Sequence, residues 1–223
     1  MGELNQPERM ADFFDVRAEG YEAHMERTVE SFDRFYASIA SPILATEAVL
    51  QILDIGCGTG LELDEILRKV PNAVVTGLDV SVGMLSRLRA AYADRSERLI
   101  LVQGSYLEVP LVESVYDYVV AVMTLHHLLP AQKRDLYRRI RRSLVPGGVY
   151  IHGDWVVSPE DERRYLAGYD NRMQALGISE PGSYHIDIPL SLETETRLLL
   201  EAGFSAVDVI WESDGNAIAV ASG

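Results

Sequence analysis

The sequence has almost none of the features that mark secreted or membrane-spanning proteins. Cys57 is the single cysteine among 223 residues, so no internal disulfide can form, and a reducing cytoplasm is the expected compartment. The longest apolar run, near residues 118–123, is far too short to span a bilayer. The N-terminal segment carries Arg9, Arg17 and several acids and lacks the apolar core of a signal peptide. We therefore expect a cytoplasmic protein that has no membrane partner.

Basic residues are also scarce. Lys and Arg number 20 against 34 Asp and Glu, which gives a net charge of −14. Such a field repels phosphate backbones and argues against a nucleic-acid partner. Six basic residues do cluster within residues 133–142, where Leu136, Ile140 and Leu144 recur every four positions. This spacing favours an amphipathic helix with a solvated basic face, and a patch that binds RNA or a partner is the alternative.

After residue 50, the patterns of strands and helices alternate along the chain. Strands are predicted near 50–55, 74–79, 99–103, 116–122 and 148–154, and helices near 60–69, 81–94 and 131–143. This alternation favours an α/β fold with a doubly wound, mostly parallel sheet. A helix near 191–202 precedes two strands, 204–211 and 217–221, with a hairpin signal at residues 213–216 (SDGN). The expected sheet therefore has seven strands and an antiparallel C-terminal hairpin.

Residues 53–60 (LDIGCGTG) form an apolar strand that runs straight into a glycine turn. Glycines at alternate positions permit a tight turn and leave no Cβ between the backbone and a ligand. Such a junction is where an open α/β sheet binds a nucleotide-like molecule. The G-x-G-x-G spacing differs from the dinucleotide pattern G-x-G-x-x-G. Asp54, two residues before the first glycine, would repel a pyrophosphate but would suit an ammonium group.

A second acid, Asp79, ends the next predicted strand. A carboxylate at that place is positioned to accept hydrogen bonds from ribose hydroxyls. The inferred pocket therefore takes a ribose together with a cation. S-adenosylmethionine combines a ribose, an ammonium and a sulfonium, and it fits this pocket.

At these residues the chain resembles the class I S-adenosylmethionine-dependent methyltransferases. Five segments match motifs of that family in the expected order: 53–60 (LDIGCGTG), 78–81 (LDVS), 103–106 (QGSY), 116–120 (YDYVV) and 144–149 (LVPGGV). The resemblance implies a Rossmann-like methyltransferase fold and S-adenosylmethionine as cofactor. The chain departs from the family at Ser105, where the family often has an acid that contacts the adenine amino group.

The resemblance also implies which residues hold the cofactor. Asp54 and the glycine turn would hold its methionine end, Asp79 its ribose, and Met123 would lie near the sulfur or the substrate. The predicted cofactor-binding residues are Asp54, Gly56, Cys57, Gly58, Thr59, Gly60, Asp79, Val80, Met84, Gly104, Ser105, Tyr106 and Met123. Within this set, Cys57 is interpreted as a small residue that fits the turn rather than as a reactive thiol.

Two segments lie outside the predicted sheet. Residues 1–45 are expected to form an N-terminal helical cap, and residues 46–223 the cofactor-binding α/β domain, with a cap insertion at about 155–190. In similar enzymes such additions hold the methyl acceptor. The predicted substrate-binding residues are Tyr21, His24, His126, Trp155, Tyr169, Arg172 and His185. For the tyrosines, ordinary helix packing is the alternative.

The pair His126-His127 follows the fourth strand, at the carboxyl edge where ligands bind in open α/β sheets. Adjacent side chains in an extended segment point in opposite directions, so one ring is expected to face the site. His127 is the candidate general base or orienting group, and satisfaction of local backbone groups is the alternative. No metal site is predicted, because no other His, Cys or acid shows ligand spacing with this pair.

The expected function is transfer of a methyl group from S-adenosylmethionine to a small-molecule acceptor by direct displacement. A methyltransferase acting on tRNA or protein is one alternative. A non-catalytic protein that binds S-adenosylmethionine and a nicotinamide-dependent enzyme are others. The sequence leaves a homodimer open.

Overall fold

The structure, a computed structural model, describes residues 7–178 and 182–223 of the chain. The first six residues of the predicted N-terminal cap lie outside this part. The strands are β1 (Gln51–Ile55), β2 (Val74–Asp79), β3 (Leu99–Gln103), β4 (Tyr116–Val122), β5 (Leu144–Trp155), β6 (Ala206–Ser213) and β7 (Asn216–Ser222). The α-helices are α1 (Met10–Arg17), α2 (Tyr21–Thr28), α3 (Phe32–Ala40), α4 (Leu63–Lys69), α5 (Val82–Ala91), α6 (Pro130–Ser143), α7 (Pro159–Leu176) and α8 (Leu192–Glu201).

The strands form one sheet in the order β3-β2-β1-β4-β5-β7-β6. The first five strands pair in parallel, and β7 pairs antiparallel with both β5 and β6. The chain order reverses between β1 and β4, and a ligand crevice opens at such a reversal, beyond the carboxyl ends of the strands. The predicted fold class is confirmed, including the antiparallel hairpin.

The backbone of the hairpin turn explains why residues 213–216 predict it. Asp214 and Gly215 have φ angles of 52° and 77°, as a two-residue turn between twisted strands requires. The turn carries the pairing as far as Ser213 and Asn216. Strand β6 therefore runs two residues further towards the turn than the predicted range of 204–211.

The predicted helix at 60–69 begins later, at Leu63. Gly60 has a φ of +81°, so residues 60–62 belong to the turn that leads into the helix. Helix α3 lies directly on the sheet, and β5 carries Gly153 at the contact. A Cβ on Gly153 would lie 2.3 Å from Cδ1 of Ile39.

No helix in the described ranges has the length and apolar character needed to cross a membrane.

The interpretation of α6 as a helix with a solvated basic face needs correction. Lys133 is fully buried and forms an ion pair with Glu195 of α8. The Tyr137 hydroxyl donates a 2.6 Å hydrogen bond to the same carboxylate. Arg139 also turns inward and donates hydrogen bonds to backbone carbonyls, among them that of Tyr106 at 2.7 Å. Helix periodicity places Lys133 and Arg139 on the inner side of α6. There they bind Glu195 of α8 and the backbone at Tyr106.

Candidate active site

Each of the three glycines in the turn is favoured for a different physical reason. Gly56, Gly58 and Gly60 have φ angles of 67°, 50° and 81°, a region that favours glycine. A Cβ on Gly56 would lie 2.0 Å from the Thr124 hydroxyl oxygen, and one on Gly60 would lie 2.5 Å from Leu88. Around Gly58 the nearest side-chain atom is 3.8 Å away. The outer glycines therefore serve packing, and the middle one leaves the backbone open to the crevice.

Asp79 is fixed at the end of β2 by the turn itself. Its Oδ2 accepts the Gly58 N–H at 2.9 Å, and its Oδ1 accepts the Ser81 N–H at 2.8 Å. Burial raises the pKa of Asp79, and these backbone donors act in the opposite direction. A carboxylate offers about four lone-pair sites, so the backbone donors Gly58, Ser81 and Val80 leave room for a hydroxyl. The geometry thus leaves Asp79 able to hold a pair of vicinal hydroxyls.

Asp54 lies beneath the turn beside a second buried acid, Glu62. Burial raises the pKa of Asp54 well above its usual range, and the neighbouring Glu62 raises it further. Among residues 7–178 and 182–223, the Thr59 hydroxyl has no hydrogen-bond partner, and the Asp54 carboxyl meets only that of Glu62. Buried polar groups are nearly always paired, so this acidic spot fits a ligand that brings a cation. Sequence reasoning missed Glu62, although its position two residues after the last glycine was visible.

The crevice walls contain about half of the predicted cofactor-binding set. Seven of the predicted residues line the crevice: Gly56, Gly58, Asp79, Val80, Met84, Tyr106 and Met123. The other six do not line it. The buried Cys57 sulfur packs towards Gly77 of β2, and burial raises the pKa of its thiol, as expected of an inert small residue. The Ser105 hydroxyl accepts the Leu107 N–H at 3.2 Å and so caps a local turn.

The N-terminal helices close over the crevice. Met10, Phe14 and Tyr21 line it from above. Asp15 of α1 anchors this cover, since its Oδ1 accepts the Ser81 hydroxyl at 2.5 Å and the Gly83 N–H at 2.8 Å. The cover is therefore tied to the N-terminus of α5, next to Asp79.

Replacing Asp15 with alanine should lower the free energy of unfolding by about 1 kcal/mol, because it removes a carboxylate that caps a helix N-terminus. Amide hydrogen exchange across α1 should become faster. Glu26→Ala, an exposed acid near the C-terminal end of α2, is the control and should not lower either quantity in this way. Exchange in α1 that stays as slow as in the wild type would show that Asp15 does not anchor the cover.

A second cavity of about 940 Å³ adjoins the crevice. The two share a wall formed by Phe14, Tyr21, Met123 and His127. Met123 has a φ of 50° although it is not glycine. Such strain is typical of functional sites, and here it places the side chain on the boundary.

Five of the seven predicted substrate-binding residues line this cavity: Tyr21, His24, His126, Trp155 and His185. Tyr169 and Arg172 do not. Tyr169 faces inward from α7 and packs with Met173, Ile186 and Ile188, as helix packing requires. Arg172 and Tyr169 both line a further depression beside α7, and Asp187 lines that depression as well as the cavity. That these two residues contact the acceptor stays a prediction.

Both histidines of the pair face the cavity, contrary to the expectation for an extended segment. Residues Leu125–His127 form a 3₁₀ turn, which brings the two ring centroids within 4.1 Å. The His126 Nδ1 lies 2.6 Å from Oδ1 of the buried Asp154. Burial alone would raise the pKa of Asp154, but His126 outweighs it and holds that pKa below the usual range.

His127 is buried, and burial lowers its pKa to about 4, with the neighbouring His126 adding to the effect. Its Nδ1 lies 3.2 Å from Oδ1 of Asp187, and the described residues offer that nitrogen no other partner. His185 stacks on Phe13 with centroids 3.4 Å apart and lies 4.7 Å from the His127 ring. Sequence reasoning missed Asp187, which joins the histidines only through the fold.

Comparison with known proteins identifies the family. Residues 52–148 match the family described as "Methyltransferase domain". A carboxy-S-adenosyl-L-methionine synthase of Stutzerimonas stutzeri is 31% identical over 70% of this chain and 70% of its own length. The synthase of that name from Desulfotalea psychrophila is 29% identical, over 86% of this chain and 87% of its own.

Solved structures support the fold. Human N-acetylserotonin methyltransferase in complex with S-adenosylmethionine superposes with a TM-score of 0.64 at 18% identity, covering 94% of this chain. The chain spans 56% of the length of that solved structure. The chain belongs to the class I S-adenosylmethionine-dependent methyltransferases. It is an enzyme, and its cofactor is S-adenosylmethionine.

Proposed function

We propose that this methyltransferase transfers the methyl group of S-adenosylmethionine to a small-molecule acceptor held in the 940 Å³ cavity. The observation that carries the proposal is the shared wall between the crevice and the cavity. A cofactor on one side and an acceptor on the other would meet at Met123 and His127. The cavity volume lies in the range of small-molecule sites, about 300–1,000 Å³.

The proposed cofactor position follows the donors and acceptors of the crevice. Asp79 holds the ribose hydroxyls, and the turn with Asp54 and Glu62 holds the methionine ammonium. Val80, Met84 and Tyr106 surround the adenine. A sulfonium methyl is already activated towards a nucleophile. The residues around it therefore act mainly by orienting the acceptor and excluding water, which the cover formed by α1 and α2 does.

His127 as general base stays a prediction, and its lowered pKa does not favour that role. A general base works best with a pKa near the working pH, and a group with a pKa of about 4 is a weak base at neutrality. The neutral ring fits an orienting role better. The cytoplasmic location, the homodimer and the two-cap division of the chain also stay predictions.

The negative charge of the chain and the helices over the cavity favour a small acceptor over tRNA or protein. The net charge of −14 opposes a polyanion. The roof of the cavity comes from α1 and α2, and Asp15 ties it down. These features support an acceptor that is small enough to be enclosed.

Synthesis of a carboxylated cofactor, as the name of the two relatives describes, is a second candidate. A carboxylate that enters a buried site needs a cation as partner. Arg17 lines the cavity, but it is paired with Glu8 at 3.0 Å, and its guanidinium lies over the Phe13 ring. Arg17, whose charge is already balanced by Glu8, therefore gives no added support to a carboxylated substrate.

Incubation with S-adenosylmethionine labelled in its methyl group tests the proposal. A cell extract is separated into low-mass, RNA and protein fractions, and each is offered to the enzyme. We expect label in the low-mass fraction together with S-adenosylhomocysteine. Label confined to RNA or protein would contradict the small-molecule proposal. Carboxylated cofactor without S-adenosylhomocysteine would establish the second candidate instead.

A further inference from the structure

We infer that His126, His127 and Asp187 bind a divalent first-row transition-metal ion in the wall of the acceptor cavity. One donor atom from each of the three residues lies within 4.8 Å of the others. Two imidazoles and one carboxylate form a donor set that suits borderline metals such as Zn²⁺, Fe²⁺ and Co²⁺. The sequence analysis predicted no metal site because ligand spacing is read along the chain, whereas Asp187 reaches the pair only in the fold.

The contact between His127 and Asp187 has the dimensions of two ligands on one ion. The atoms Nδ1 and Oδ1 are 3.2 Å apart. Two ligands bonded at about 2.1 Å, with about 90–110° between the bonds, lie about 3.0–3.4 Å apart. The Nδ1 of His127 is buried, and among the described residues its polar neighbour is Oδ1 of Asp187. An ion between these atoms would satisfy both of them.

His126 already has a carboxylate partner, Asp154, of the kind that usually hydrogen-bonds a metal-binding histidine. Its Nδ1 faces Asp154, which leaves Nε2 as the nitrogen available to an ion. Asp154 is itself held by the backbone N–H groups of Leu125 and Trp155, each at 2.9 Å. Carboxylates in this position fix the tautomer and the orientation of a ligating imidazole.

The composition of the cluster favours a cation over an anion. The two imidazoles can offer nitrogen lone pairs, and the Asp187 carboxylate can offer an oxygen ligand. The His185 Nε2 lies 3.9 Å from Oδ1 of Asp187 and is the nearest further donor.

The ion would lie at the boundary that His127 shares with the cofactor crevice. It would therefore face the acceptor and favour molecules that carry an oxygen donor. This consequence rests on the proposed function, whereas binding of the ion does not.

Calorimetric titration of the full chain, freed of metal by a chelator, tests the inference. The probes are Co²⁺, Zn²⁺ and Mg²⁺, without cofactor or acceptor. We expect one Co²⁺ or Zn²⁺ per chain, and Mg²⁺ binding at least tenfold weaker. The variants His126→Ala and Asp187→Asn should each lower the Co²⁺ affinity at least tenfold. His24→Ala is the matched control, a histidine of the same cavity outside the cluster, and should leave the affinity unchanged.

Absence of Co²⁺ and Zn²⁺ binding would overturn the inference, as would variants that bind like the wild type or tighter binding of Mg²⁺. Asp187 is partly exposed, so Asp187→Asn should fold even if His126→Ala does not. Because the titration contains no cofactor, its failure would leave methyl transfer standing. A failed transfer assay would likewise leave a positive titration standing.

Discussion

Asp79→Asn should weaken the binding of S-adenosylmethionine about 100-fold, or by about 3 kcal/mol. The wild-type carboxylate accepts backbone N–H groups from Gly58 and Ser81 and, in the proposed position, ribose hydroxyls as well. The amide keeps the shape but loses the charge, and its NH₂ group must face a donor. Hydrogen bonds to charged groups are worth about 1.5–3 kcal/mol each, so the loss is large.

Calorimetric titration of cofactor into both proteins measures the effect. Asp94→Asn removes an exposed carboxylate outside the crevice and should bind like the wild type. Equal circular dichroism spectra would show that Asp79→Asn still folds. A dissociation constant that changes less than twofold would mean that Asp79 does not hold the ribose.

The second large effect concerns stability. Glu195→Gln should lower the free energy of unfolding by about 3–5 kcal/mol, because it leaves the fully buried Lys133 without its counter-charge. Tyr137 also loses a charged acceptor. Urea denaturation measures the change. The double variant Lys133→Met with Glu195→Leu removes both charges and should recover most of the loss, whereas a loss below about 1 kcal/mol in the single variant would contradict the argument.

The pH dependence of stability tests the same pair. Burial alone would raise the pKa of Glu195, but Lys133 and His152 outweigh it and lower that pKa to about 2. A folded-state pKa below the unfolded value, about 4.3, means that this stabilisation is complete above about pH 5. It is lost as the pH falls through 4 towards 2. The wild type should therefore lose stability over that range more steeply than Glu195→Gln.

Features set by local sequence could be predicted. The glycine turn at residues 53–60 was recognised because its conformation depends on residues adjacent in the chain. Asp214-Gly215 likewise fixes its own turn. Strand positions followed from apolar runs, because β1 and β4 are buried in the middle of the sheet.

Features set by tertiary packing could not be predicted in this way. Nothing in the sequence near His127 indicates Asp187, which lies 60 residues later, in the segment between α7 and α8. Lys133 looked like part of a solvated face, because the helix pattern does not show that α8 brings Glu195 against it. Tyr169 had the right residue type for a substrate pocket, but the rotation of α7 directs it into a small core of its own.

A crystal structure with S-adenosylhomocysteine tests the central claim most directly, namely that the cofactor and the acceptor meet across the wall of Phe14, Tyr21, Met123 and His127. We expect the ribose hydroxyls on Asp79 and the sulfur at Met123, directed towards the 940 Å³ cavity. A ribose bound away from Asp79, or a sulfur directed away from that cavity, would contradict the account.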